Sequence, residues 1–107
     1  MLQMDIVDAI MRDCGWSRSH AGTAYLREAV RLRARGWWAM GDIYAELARK
    51  FRTTSCAVER AMRYAIRCAI ERGSAEDFAA WFGPCWESLT NADAICALAF
   101  EGGAYDD

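Results

Sequence analysis

The sequence predicts an all-α domain of six helices containing a helix-turn-helix, and three observations predict it. Apolar residues recur at helical spacing through most of the chain. Strand-type alternation is nearly absent, while Ala, Leu, Arg and Glu are plentiful and a single Pro interrupts them. At 107 residues, 54% hydrophobic and 26% charged, the chain can bury one core, so a single domain over 1–107 is expected rather than disorder.

The first helix is read over Gln3 to Asp13, with Val7, Ile10, Met11 and Cys14 on one face and Gly15 as its stop. The second runs from Ala21 to Arg35. It buries Tyr25, Leu26, Ala29, Val30 and Leu32 and carries Arg27, Arg31 and Arg35 outside. Gly36 ends it, and "GWWAMG" reads as a loop or tight turn. The third helix is Asp42 to Phe51, with Ile43, Tyr44, Leu47, Ala48 and Phe51 inward. The fourth lies within "KFRTTSCAVERAMRYAIRCAIERGS". The fifth opens on Ser74 and Asp77, a capping-box pair, buries Phe78, Trp81 and Phe82, and closes at Gly83-Pro84. The sixth starts near Thr90 with Asp93 three residues on, buries Ala94, Ile95, Leu98 and Ala99, and ends at Gly102-Gly103.

Charge is unevenly placed beneath a net value of −2. All 13 Lys and Arg lie between Arg12 and Arg72, against six acids there. From Gly73 onward there are seven acids and no Lys or Arg. A basic middle suits a polyanionic partner; scattered solvated charge is the plainer alternative.

Several classes of function are argued against. Five cysteines form no Cys-x-x-Cys pair, and no signal peptide precedes them, so free thiols in a reducing cytoplasm are expected. With His20 the only histidine, no metal site is expected, and no cofactor. No apolar run approaches a membrane span. No carboxylate pair, Ser/His/Asp set or glycine-rich phosphate loop is present, so the chain does not read as an enzyme.

The fourth helix carries the positive argument. Thr53, Thr54 or Ser55 can cap it, since their hydroxyls accept from the first free backbone N–H groups. Val58, Ala61, Met62, Ala65, Ile66, Ala69 and Ile70 then form a complete buried stripe. The opposite stripe is Arg60, Arg63, Tyr64, Arg67 and Glu71, with Glu59 beside it. Such a row suits the DNA major groove. Arginine forks bind guanine O6 and N7, a carboxylate accepts from cytosine N4, and cap hydroxyls with N-terminal N–H groups hold a phosphate. The third helix completes a helix-turn-helix over about 42–73: Val58 and Ala61 follow Leu47 at offsets of about 11 and 14, as packing of the two helices requires. One position departs from the pattern. Arg52 stands where glycine is usual, which requires a longer turn or a left-handed non-glycine residue. An ordinary αα-hairpin with a solvated basic face is the alternative.

"AYLREAV" (Ala24 to Val30), "IYAELARKFRTT" (Ile43 to Thr54) and "VERAMRYAIRCAIERG" (Val58 to Gly73) closely resemble the C-terminal effector domain of the sporulation-initiation transcription factor of endospore-forming bacteria. The resemblance continues through "DIVDAIMRDCG" and "WFG…TNADAICALA", and so spans nearly the whole chain. It implies a six-helix fold whose fourth helix reads a short DNA box, with two domains in tandem on the duplex. Carried over residue by residue, it places Glu59, Arg60 and Arg63 at base edges. The chain departs from the family in several places. Its 107 residues leave no room for the phosphoacceptor receiver that normally precedes the effector, so a stand-alone domain is expected. A shorter segment with Trp37-Trp38 joins helices two and three. Ala57 replaces a basic residue, Tyr64 a common histidine, and "PCWESL" a basic loop.

The leading expectation is a cytoplasmic, sequence-specific regulator on double-stranded DNA. Glu59, Arg60, Arg63 and Tyr64 would contact bases, and Arg49, Lys50, Thr53, Thr54, Ser55 and Arg67 phosphates. The alternative is a protein-interaction module that pairs with a full-length response regulator. Cys56 reads as a small first-turn residue or a redox thiol, and His20 as a cap of helix two or a phosphate contact. Trp37, Trp38, Trp81 and Trp86 read as core or edge of core, with a base-stacking platform as the alternative. The acidic helices five and six are expected opposite the DNA, with Phe78, Trp81, Phe82, Ile95 and Leu98 packed on helices one, two and four.

Overall fold

A computed structural model describes residues 1–105. Asp106 and Asp107, counted above in the acidic end, lie outside the described residues. Six α-helices follow in order, α1 Met4–Asp13, α2 Ala21–Ala34, α3 Met40–Phe51, α4 Ser55–Arg72, α5 Ala75–Phe82 and α6 Asn91–Glu101, with a 3-10 turn at Trp86–Ser88 and no strand among the described residues.

The apolar stripes converge on one core. Val7 and Ile10 of α1, Leu26 and Val30 of α2, Ile43 and Leu47 of α3, Val58 and Met62 of α4, Phe78 of α5, and Ile95 and Leu98 of α6 are all buried. α2 packs most extensively against α4 and α6, and α3 lies on α4. α1 and α4 also support α6. The pair α3–α4 is thus braced from behind by α2.

Each helix end has a physical cause. Gly15 takes φ +91° just after α1, a conformation that L side chains rarely adopt. Arg52 has φ 56° and ψ 51°, the left-handed one of the two solutions open to a turn without glycine. Its N–H and that of Thr53 both bond to the Ala48 carbonyl, closing α3. Ser74 Oγ accepts from the N–H groups of Glu76 and Asp77 to start α5. Thr90 and Asp93 form a reciprocal capping box at α6.

Some expectations need correction. α3 begins at Met40, so the "GWWAMG" loop shortens to 36–39. Trp81 is not core: it is 36% exposed, because the two turns of α5 pack through Phe78 and Phe82 onto Trp16. Trp16, which no helix claimed, is buried there. Trp38 is 68% exposed rather than at the core edge, whereas Trp37 and Trp86 are half-buried against the core. Arg33 is buried in α2, on the side where Cys96 and Met40 lie, and makes hydrogen bonds to Cys96 Sγ (3.1 Å) and the Trp38 carbonyl (3.3 Å). The Cys14 thiol is pushed up to about 12, chiefly by burial and then by the Asp77 and Asp13 charges, so it stays protonated and inert.

Candidate nucleic-acid interface

Of the three candidate caps, Thr54 holds the N-terminus of α4: its Oγ1 accepts from Ala57 N–H at 3.1 Å. Thr53 lies in the turn, and Ser55 is the first helical residue. Thr54→Ala should cost roughly 1 kcal/mol of stability, read as a lower urea midpoint with an unchanged denaturant slope.

From that cap, α4 runs outward with two unlike faces. Val58, Met62, Ala65, Ile66 and Ala69 are buried. Arg60, Arg63, Tyr64 and Arg67 are exposed, with Glu59 half-buried beside them. The structure therefore brings all four base-contact candidates onto one helix, over about two turns. Arg60 and Arg67 make no ion pair among the described residues. Arg63 donates to Glu59 at 2.5 Å, so its guanidinium and the neighbouring carboxylate form one unit. The Tyr64 ring meets His20 edge-on at 5.3 Å. A hydrogen bond with Cys68 is the main cause that raises its phenol above the ordinary value, which keeps the hydroxyl protonated. His20 occupies the N-cap position of α2 without a capping bond from its side chain, and so braces Tyr64 instead. Cys56 is exposed in the first turn of α4.

The other phosphate candidates flank this row. Arg49 makes a two-point pair with Glu46 at 2.5 and 3.0 Å. Lys50 bonds Glu28 of α2 at 2.8 Å, and Arg31 bonds the other oxygen of the same carboxylate. Burial of Glu28 works to raise its pKa, yet Lys50 and Arg31 outweigh it, and the carboxyl sits below its ordinary value. The Lys50–Glu28 pairing therefore persists at neutral pH and weakens only as pH falls through that depressed value.

Two residues that sequence reasoning passed over fix where this row stands. Gly22, in the first turn of α2, lies against the α4 backbone: a Cβ there would fall 1.9 Å from the Ala61 carbonyl oxygen. Asn91, the first residue of α6, is buried and donates to both the Tyr44 hydroxyl and the Glu59 carbonyl, each at 3.1 Å. It ties α3, α4 and α6 together at the turn that carries Glu59. A glycine inside a helix, which costs about 1 kcal/mol against alanine, was the available signal for the first. Asn91 was masked by the stronger cap signal of Thr90 beside it.

A family model for the sporulation initiation factor Spo0A C-terminal domain matches residues 7–100. The chain belongs to that family. Its members are DNA-binding transcription effector domains without catalytic function. The match runs from α1 through α6 and so includes the helix-turn-helix, which here comprises α3, the turn at 52–54 and α4. Among the described residues no helix is long and apolar enough to cross a membrane, and no cluster of three His, Cys, Asp or Glu side chains is placed to hold a metal ion.

Proposed function

We propose that this chain is a cytoplasmic transcription regulator that binds duplex DNA sequence-specifically by inserting α4 into the major groove. The observation that carries the reading is the exposed row Arg60, Arg63, Tyr64 and Arg67 on a helix whose opposite face packs into the core through Val58, Met62, Ala65, Ile66 and Ala69, with Ala61 and Ile70 half-buried at its edge. Glu59, Arg60, Arg63 and Tyr64 contact base edges; Arg49, Lys50, Thr53, Thr54, Ser55 and Arg67 hold phosphates on either side. Residues 1–107 act as one domain, and two copies in tandem on the duplex follow the family pattern. Mobility shift against a panel of sporulation-type boxes, with a scrambled duplex as control, tests this reading. Selective retardation of one box supports it, and equal retardation of all duplexes refutes it.

A second reading has a specific observation behind it. Arg49, Lys50 and Arg63 are already paired with acids of their own chain, which reduces the positive field the DNA would meet. In that reading the domain pairs with a full-length response regulator and modifies its binding. It predicts no shift of any box by the chain alone, and an altered shift when the regulator is added.

The ion pairs give a sharper test of the phosphate assignments. Lys50→Ala should weaken binding to specific and scrambled duplexes alike and reduce the salt slope by about one. Glu28→Gln should do the reverse: it releases Lys50 and removes an acid, raising affinity for both duplexes about two- to fivefold at low salt. Titration of both variants at two salt concentrations reads the outcome. An unchanged slope in Lys50→Ala removes Lys50 from the phosphate set.

A further inference from the structure

We propose that the groove between α5 and α6 is a docking site for a basic amphipathic helix of a partner protein. The groove holds about 590 Å³ and has Trp38, Trp81, Phe100 and Tyr105 among its walls. These four aromatic side chains are 36% to 68% exposed. Monomeric domains rarely leave so many large rings together in water, and a rimmed apolar concavity is the usual signature of a partner surface. Nothing in the DNA-reading face uses it: Trp38 comes from the α2–α3 loop, and the other three come from α5, α6 and the residues just after α6.

The walls are held in place rather than loose. Trp38 stacks on the buried Arg33 guanidinium, 4.7 Å from the ring centroid, and the same side chain bonds the Trp38 carbonyl. One face of the indole is thereby anchored while the ring remains largely open to solvent. Phe82 and Leu89, half-buried on the core side, floor the groove.

Charge decides the occupant. Asp93 and Glu101 line the groove, and no Lys or Arg does. The whole segment from Gly73 onward is without a basic residue. An acidic rim around an aromatic trough matches a helix with apolar anchors at i, i+3 or i+4 and i+7 and flanking Lys or Arg. Those cations pair with the rim acids, and they also gain on indole faces.

The test selects ligands without presupposing one. A display library of helix-forming peptides, randomised for apolar and for Lys, Arg, Asp and Glu positions, is panned on the full chain. The enriched peptides are then titrated against Phe100→Asp and Glu101→Lys. Enriched peptides should be basic and amphipathic, and Phe100→Asp should weaken them about tenfold or more. That substitution adds negative charge, so a loss reports the apolar seat and not bulk attraction. Phe100 is 67% exposed, so the fold tolerates the change. Glu101→Lys should weaken binding severalfold through the rim. Enrichment of acidic peptides, or equal binding to Phe100→Asp, overturns the proposal. So does sedimentation showing a wild-type dimer that Phe100→Asp dissociates, because the groove would then belong to a second copy of this chain.

Discussion

Gly22→Ala is expected to cost the domain about 3 kcal/mol and to lower Tm by roughly 10–20 °C. Two effects oppose one another. Alanine in place of a helical glycine gains about 1 kcal/mol in propensity. Against that, the added methyl would lie 1.9 Å from the Ala61 carbonyl oxygen and 2.9 Å from the Met62 nitrogen. Both are backbone atoms of α4, so no side chain can swing aside. α2 must move off α4, opening the packing of Leu26, Ala29, Val58 and Met62, which are all buried. The steric term wins. Gly41 supplies the control: it lies in the first turn of α3 with nothing within 4 Å of an added Cβ. Gly41→Ala should therefore stabilise by about 0.5–1 kcal/mol. Thermal and urea melts of the two variants, followed by helical circular dichroism, should move in opposite directions. If Gly22→Ala melts at or above the wild type, the α2–α4 approach is looser than a Cβ 1.9 Å from the Ala61 carbonyl oxygen allows. Because α2 backs the reading helix, Gly22→Ala should also lose specific DNA binding under conditions where the fold persists.

The helices were legible because each carries a full apolar stripe bounded by a local stop. α4 shows this best: its stripe from Val58 to Ile70 begins after a hydroxyl cap and ends at Gly73. The position where the helix-turn-helix pattern usually has glycine left a longer turn or a left-handed Arg52 open, and the second is what forms. What stayed hidden depends on contacts between distant segments. Trp81 and Phe82 have nearly the same local pattern, and only the position of Trp16 decides which of them is covered. Arg33 sits among the arginines of α2 in sequence, yet Cys96 of α6 and the Trp38 loop enclose it. For the candidate site, the row of side chains was readable from helical spacing. The pairing of Arg49, Lys50 and Arg63 with Glu46, Glu28 and Glu59 was readable only where the partners are three or four residues apart. The Lys50–Glu28 pair joins separate helices and needed the fold.

Arg63→Ala should cost about 1–3 kcal/mol of specific binding, roughly 5- to 150-fold, and relax preference at one base pair. Arg63 stands more than two turns in from the Thr54 cap, where a helix lying in the major groove comes nearest the bases. Glu59, one turn earlier, pairs with the Arg63 guanidinium at 2.5 Å, an exposed i,i+4 contact that favours one orientation by about 0.3–0.5 kcal/mol. Asn91 in turn holds the Glu59 carbonyl at 3.1 Å. Asn91 thus fixes the backbone at Glu59, and the ion pair biases the fork toward one orientation, which lowers the side-chain entropy lost on binding. Removing Arg63 also leaves the Glu59 carboxylate, whose side chain is 34% exposed, facing the duplex without its partner. Part of the loss in the single variant is therefore repulsion, and Glu59→Ala combined with Arg63→Ala separates the two. If Glu59 accepts from a cytosine amino group, the double variant binds more weakly than Arg63→Ala and loses preference at a second base pair. If Glu59 only orients the arginine, the double variant recovers part of the affinity without recovering preference. Titration of both variants on duplexes carrying every single-base change in the preferred box distinguishes these outcomes. Retention of wild-type affinity and base preference by Arg63→Ala would remove α4 from the reading role altogether.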